Sequence, residues 1–578
     1  MTGRRTLALV AASTLALSSC TSLPSYTEPQ ALRSFVRSTP TEEAIAPVAG
    51  QEPDLLLRDF FAASGKPIQN HQAARAFLTP DAARRWDDAA STLILDRIDL
   101  NAKAGATQNA ISYVVRGTVV GALGPGGVFS PDHGDFEAEI QLSKVDGEWR
   151  IDSLPAGTVF ERVELRNNYS PEELFFFDPN QKMLVRDRRW IYKGQKSMDT
   201  SLLSLLVEGP KGPIAAGVTT EVPVGATFVG NDKGVYRFNG FADLSSEERH
   251  RFAAQVLWTL AKSGTQGPYN IELDGTPLDP QAPVLTIDDV AEYNPNATSG
   301  SVSPLYAVGN GSLTLVDSST LTPVAGTLGS SGRVESADIS GDYVAGVIVD
   351  GEGAGRQSTL VAGPVNGSVE SVLQARTLTQ PSLESHATAL WTVLDGRTIA
   401  RVARSTSTNE LSQSEVDATK IEGLLEPDGE GGEGSSISML KLSPTGVRAA
   451  MVIGGKVYLA VISRPAAGEK MIANITDIAP SLDNTVVSVA WQLDGSLVVG
   501  TANQDAPIWR VETDGSAVTQ LPSGNITAPV VAVAASANTL YVTDARSVLQ
   551  LPINSPTTAF WREVPALQGV RAVPVVGS

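Results

Sequence analysis

The residues with the clearest chemical potential are Leu17-Ser18-Ser19-Cys20, a small-residue stretch ending in a thiol. They follow Arg4, Arg5 and an apolar run over 7–17, the layout of a secretory signal. In a lipobox of this form the signal is cut before the cysteine and the thiol is diacylated, so lipidation is expected at Cys20. The apolar run is too short to span a bilayer, which takes about 20 residues. Gly3 and Thr6 are poor flanks for a twin-arginine signal. Cys20 is the single cysteine in 578 residues, so no intramolecular disulfide is available. One acyl chain holds a membrane only marginally, so the two or three of a mature lipoprotein are what make the anchor stable.

Other patterns imitate catalytic sites. Ser438 and Lys441 satisfy S-x-x-K, but that chemistry puts both groups on one helical turn, and here they lie in an alternating strand pattern that points them to opposite faces. The companion S-D-N and K-T-G signals are missing. Gly429, Gly431 and Gly434 satisfy G-x-G-x-x-G without the preceding strand and following helix that a dinucleotide needs, and Glu430, Glu433, Glu426 and Asp428 would repel a pyrophosphate. His133 beside Asp132 and near Ser130 lies in a Gly- and Pro-rich stretch, 124–134, expected to be a solvated loop. Asp395 and Asp494 precede glycines, where they are expected to accommodate φ > 0 in hairpins rather than to bind calcium or act as paired acids. His71, His133, His250 and His386 are far apart and no Cys/His cluster has metal-ligand spacing, so no metal and no cofactor are expected, and no catalytic residues are assigned. The tryptophans fall singly, as core residues do.

Composition narrows the partners. Lys plus Arg is 44 and Asp plus Glu is 63, a net charge of −19. Such a chain lacks the cationic footprint of phosphate-backbone binding, so no nucleic acid is expected. The length suggests three or four domains.

The elements divide the chain as follows. Residues 1–19 are the signal and 20–50 a tether, punctuated by Pro24, Pro29, Pro40 and Pro47, with a reach of roughly 30 Å if flexible. Residues 51–165 read as helices and then strands. Leu55, Leu56, Phe60 and Phe61 form one helical stripe, Asn70 can cap a second helix, and Thr79-Pro80-Asp81 restarts the chain. Strand patterns occupy 93–100, 111–120, 136–145 and 149–154, the last pair joined by an Asp146-Gly147 turn. This order resembles the NTF2-like α+β cone. Residues 169–289 form a second α+β unit. Strand 174–177 pairs with 183–192, Asp199 caps a leucine-rich helix, and Ser245 with Glu248 forms a capping box. Leu205-Leu206-Val207-Glu208-Gly209-Pro210 followed by Thr219-Thr220-Glu221-Val222-Pro223 looks like a GerMN domain, a module of bacterial surface and sporulation lipoproteins.

From 294 to 578 helical periodicity is lost. Turn glycines recur at Gly341, Gly396, Gly446 and Gly495, intervals of 55, 50 and 49, which predict an all-β propeller of about six blades rather than a two-sheet sandwich. Ser443-Pro444-Thr445-Gly446 resembles the Ser-Pro-Asp-Gly blade turn of TolB-type propellers, with threonine for aspartate. Closure is expected by pairing an early strand, 305–308, with the last blade.

A lipobox, an NTF2-like region, a GerMN-like domain and a propeller, in that order, look like the LpqB family of actinobacterial lipoproteins. The resemblance implies a membrane-anchored, extracytoplasmic, non-enzymatic accessory of the MtrA–MtrB two-component system. Its implied partner is the extracytoplasmic domain of the sensor histidine kinase, and its implied setting is cell-wall homeostasis and division. The family pattern supplies no catalytic residues. The alternatives from other classes are a cell-envelope glycan- or small-solute-binding lipoprotein, with the cone or propeller as its pocket, and a cell-wall hydrolase.

Overall fold

A computed structural model describes residues 45–296, 303–405, 407–427, 434–466, 468–556 and 558–577. In the first folded unit, helix α1 (Pro53–Ser64) buries Leu56, Leu57, Phe60 and Phe61. Leu55 was expected on that stripe but is 51% exposed, because Leu57, two residues on, takes the inward position. Helix α2 (Gln72–Arg75) starts without an asparagine cap. Gln69, Asn70 and His71 instead enter it through three successive left-handed conformations. Helix α3 (Pro80–Arg85) starts where Thr79-Pro80-Asp81 was expected to restart the chain, and Thr79 Oγ1 caps it by accepting the Ala82 N–H at 3.2 Å.

These helices accompany a sheet built on one long strand. The strands are β1 (Thr92–Leu95), β2 (Asp99–Ala102), β3 (Ala110–Leu123), β4 (Phe129–Pro131), β5 (Asp135–Val145), β6 (Glu148–Ser153) and β7 (Thr158–Glu161), in the order β6-β5-β3-β1-β7, with β2 and β4 also on β3. The single strand expected over 93–100 is two. The chain crosses β3 at Gly117, where a Cβ would lie 2.4 Å from Arg97 O, so the break depends on that missing side chain. Asp146 (φ 54°) and Gly147 (φ 85°) form the expected two-residue turn.

Helix α4 (Arg162–Asn168) leads into the second unit, whose first hairpin is β8 (Tyr169–Phe177) with β9 (Leu184–Tyr192), in register from Tyr169↔Tyr192 to Phe177↔Leu184. Leu174, Phe175, Phe176 and Phe177 are wholly buried, against α5 (Met198–Glu208) and α6 (Ser246–Lys262). The Ser245/Glu248 capping box is present at α6. At α5 the N-cap is Ser197, and Asp199 lies inside the first turn because Tyr236 Oη donates to its carboxylate at 2.8 Å. A second sheet, β10 (Thr227–Asp232), β11 (Val235–Asn239), β12 (Tyr269–Leu273) and β13 (Thr276–Pro277), completes this unit, with β14 (Val284–Leu285) paired to β12.

The remainder is a six-bladed propeller of four-stranded antiparallel sheets. Blade 1 is Leu305–Gly309, Ser312–Asp317 and Thr320–Pro323, completed by Val573–Val576; blade 2 begins at Val334–Ser340, blade 3 at Ser382–Leu383, blade 4 at Ile437–Leu442, blade 5 at Val486–Trp491 and blade 6 at Ala532–Ala535. These first strands, with Val573–Val576 standing for blade 1, neighbour one another in a closed ring. Closure occurs at the expected strand but in the opposite sense: the last strand joins the first blade, Val308 pairing with Val573.

The turn repeat needs one correction. Gly341, Gly446 and Gly495 join the first and second strands of blades 2, 4 and 5, whereas Gly396 joins the second and third strands of blade 3. The equivalent turn in blade 3 is Ser385–Ala387, where His386 (φ 57°) and Ala387 (φ 50°) take up the conformation glycine supplies elsewhere. Side chains clip the ring where its strands are short. Gln380 Nε2 donates to Ala337 O at 2.9 Å, the Leu383 N–H to Asp338 Oδ2 at 2.8 Å, the Leu442 N–H to Ser382 Oγ at 2.9 Å and Trp491 Nε1 to Lys441 O at 2.9 Å.

Candidate functional site

Cys20 and residues 429–433 of the glycine motif lie outside the described residues. What flanks that motif is a short helix, Glu422–Leu425, and then a strand, the reverse of a dinucleotide site. Ser438 and Lys441 both sit on the first strand of blade 4, and Lys441 Nζ turns away to Pro381 O at 3.4 Å. Burial in the ring pushes the Lys441 ammonium down and the Asp338 carboxyl up, each partly offset by the other's charge. Asp395 has the positive φ expected of it. Asp494 does not: it caps the Ser496 N–H and hydroxyl and pairs with Arg510 at 2.8 Å.

Two histidines meet carboxylates: His250 Nε2 stands 2.6 Å from Glu292 Oε1, and His71 Nδ1 stands 2.7 Å from Asp88 Oδ2, the Asp88 carboxylate also meeting Arg75 at 2.6 Å. Burial would raise the Asp88 carboxyl, but His71 and Arg75 hold it below its ordinary value. Arg75 also lies over the Trp86 ring, 5.2 Å from its centroid, which ties this group into the fold. No hydroxyl or thiol bonds to His71 among the described residues. Among those residues there is also no group of three or more His, Cys, Asp or Glu side chains placed to hold a metal.

Two concavities lie in the first unit. One, of about 10 Å³, lies where Phe60 and Phe61 of helix α1 meet Phe136, Ile140 and Val159 of the sheet. A groove of about 300 Å³ runs over the outer face of the same sheet, where Lys103, Ser112, Gln141 and Asp152 lie across adjacent strands. The residues of the GerMN-like signature are structural. Gly209 (φ 87°) ends α5, Thr219 exchanges backbone hydrogen bonds with Phe177, and buried Glu221 pairs with Arg251 at 2.6 Å.

The densest polar arrangement was not singled out from sequence. It centres on β9, whose residues 184–190 read Leu-Val-Arg-Asp-Arg-Arg-Trp, four charges inside an otherwise apolar strand. That interruption is the signal that could have found it, since a charged run in a buried strand needs partners from elsewhere. Arg186 Nη1 donates to Leu493 O of blade 5 at 3.0 Å, and Nη2 to Asn296 Oδ1 and Pro295 O, while Nε stands 3.3 Å from Glu173. Two residues on, and so on the same face, Arg188 meets Glu512 at 3.1 Å and Asp514 at 3.3 Å; Trp190 Nε1 donates to Asp514 at 3.1 Å. Arg448 of blade 4 donates to Arg186 O at 2.8 Å. Burial lowers the Arg448 guanidinium to about 10 against the opposing pull of Asp187, and burial raises the Glu173 carboxyl.

On the alternate face Asp187 and Arg189 form a bidentate pair, 2.9 and 2.6 Å, and Arg189 Nη1 donates to Gly126 O of the first unit at 3.1 Å. Gly127 lies so close to Trp190 that a Cβ would be 2.4 Å from the Trp190 carbonyl oxygen. Pro131 lies so near Gly515 of the propeller that a Cβ there would be 2.8 Å from its ring. The stretch expected to be a solvated loop around His133 is therefore partly a domain contact, its glycines serving close approach, although His133 itself is exposed. One strand thus seats all three units.

Family models match the three units separately: Lipoprotein LpqB, N-terminal domain over 46–166, a sporulation and spore germination (Germane) domain over 173–279, and the Lipoprotein LpqB beta-propeller domain over 311–577. Lipoprotein LpqB of Corynebacterium diphtheriae is 42% identical over 568 residues, covering 96% of each chain. That of Rhodococcus jostii is 39% identical, covering 98% of this chain and 97% of its own. Among solved structures, the Cps50 (Swd1) β-propeller domain of Myceliophteria thermophila matches 41% of this chain and 69% of its own, with 12% identity and a TM-score of 0.27. The chain belongs to the LpqB lipoprotein family.

Proposed function

We propose that this lipoprotein is held by acyl chains on Cys20 at the extracytoplasmic face of the cell membrane, where it acts without catalysis as an accessory of a sensor histidine kinase of the MtrB type. The observation that carries the reading is the near full-length family match, joined to a lipobox whose cysteine is the only one in the chain. The densest polar arrangement described above joins domain to domain, which suits a scaffold that presents surfaces. Binding one conformational state of the kinase ectodomain more tightly than another is what would bias signalling. A lipid anchor confines both partners to one surface and raises the effective concentration of a weak binder.

Crosslinking in intact membranes, followed by recovery of the lipoprotein, tests this reading. Wild type is expected to bring down the kinase ectodomain, and Cys20→Ala to lose most of it. Recovery of no protein partner by either form would overturn the proposal. The 300 Å³ groove favours one second reading, a lipoprotein that binds an envelope glycan or small solute. Retention of muropeptides in the same experiment, reduced by Gln141→Ala, would support it.

A further inference from the structure

The two seams of the molecule are built from different chemistry. The first unit and the GerMN-like unit share a hydrophobic core in which Ile94, Phe129, Phe160 and Leu165 pack with Tyr169 and Trp190. Phe160 stacks on Tyr169 with ring centroids 6.1 Å apart. At the seam with the propeller, the buried apolar cluster that crosses is Val185, Ile214 and Val447, with Val218 beside it. Gly217 also approaches Val447 and Val461 of blade 4 closely, and the hydrogen-bonded and charged contacts of the seam are Arg186 and Arg188 on one side, Leu493 O, Glu512 and Asp514 on the other, Arg448 reaching back to Arg186 O, and Arg464 donating to Asn180 at 2.9 Å.

The physical consequence differs accordingly. Apolar burial is favourable whatever the exact geometry. A buried ion pair roughly cancels its own desolvation, so it sets register more than it adds stability. Polar seams between domains are also those across which relative motion is the default.

We infer that the propeller is a releasable body, latched by Arg186 and Arg188 onto a second body made of the first two units, and that it swings away as a whole while the tether-side body stays intact. Opening parts the Pro131–Gly515 contact along the same seam and uncovers Val185, Arg186 and Arg188. The inference goes beyond the accessory reading and does not depend on it, since it concerns this chain alone.

Pulsed electron-spin distance measurements on the full chain test it, with Cys20→Ser and spin-labelled cysteines at the exposed positions Ala106, Val224 and Ala354, taken in pairs. The pair 224–354 spans the latch, and 106–224 lies within the tether-side body. In Arg186→Ala/Arg188→Ala the 224–354 distribution is expected to gain a second, longer distance, with the open fraction at least threefold above wild type, while 106–224 is unchanged. Glu512→Gln/Asp514→Asn approaches the latch from the propeller side and should do the same. Combining Arg188→Glu with Glu512→Arg should restore the closed distance. A 224–354 distance unchanged in both double variants would overturn the proposal, as would both distances broadening together.

Discussion

The same strand makes two kinds of joint. Toward the first unit β9 offers mainly its backbone and the rings of Trp190 and Tyr192, with one guanidinium, Arg189, on Gly126 O, and meets glycines and aromatics. Toward the propeller it offers guanidinium groups at the ends of long side chains, and the indole N–H of Trp190, and meets carboxylates on loops. A joint made of backbone and rings tolerates no displacement, because close packing is lost over fractions of an ångström. A joint made of long charged side chains can be broken and remade in the same register. The comparison teaches that domain count alone does not describe this molecule, whose units divide into a welded pair and a latched third.

The largest expected effect falls on the weld. Phe160→Ala should cost about 3–5 kcal/mol, since it leaves a cavity under Tyr169. Urea unfolding followed by hydrogen exchange should show both tether-side units losing protection together; loss confined to the first unit would break the comparison. Gly127→Ala should cost about 1–3 kcal/mol, because the position combines φ of 77° with a carbonyl where the Cβ must go. Exchange in β9 reports it. At the latch, Arg188→Ala should cost about 2 kcal/mol, less than a fully buried pair because the side chain keeps 22% of its exposure. Calorimetry should then resolve a propeller transition separate from the rest.

Acid sharpens the contrast within the latch. Burial would raise the Asp494 carboxyl, but Ser496, Arg510 and Arg186 outweigh it and hold the group low. Its stabilisation is therefore present above the ordinary carboxylate range and is lost as pH falls through the lowered value. Glu173, raised by burial, has the opposite sign: protonation relieves a buried charge, so its contribution improves as pH falls. Asp494→Asn should flatten the acid loss of melting temperature and Glu173→Gln should steepen it. The smallest effect is a local control, Ser245→Ala, at about 1 kcal/mol for the capping box, with neither seam altered.

Local patterns were the legible part. The Asp146-Gly147 turn, the restart at Thr79-Pro80-Asp81 and the Ser245 box depend on neighbours in sequence, and each stands where its residues predict it. Asn70 and Asp199 carry the same kind of signal and fail, because the chain turns left-handed before one helix and Tyr236 claims the other carboxylate. Gly396 shows how a near-constant interval can hide a shift of loop, blade 3 filling its own turn with His386 and Ala387. The latch was illegible as a contact, since Arg188 and Glu512 stand 324 residues apart and only the fold brings them together. Its one trace in sequence was charge inside an apolar strand.

The strand Val573–Val576 has a consequence for how the molecule comes to exist. It lies between blade 1 and the ring's axis, yet it is the last strand in the sequence. A chain made from its N-terminus onward can finish the welded pair early, because the residues that weld it all precede the propeller. The ring stays a broken circle, with one blade a strand short, until the last stretch of sequence arrives to shut it.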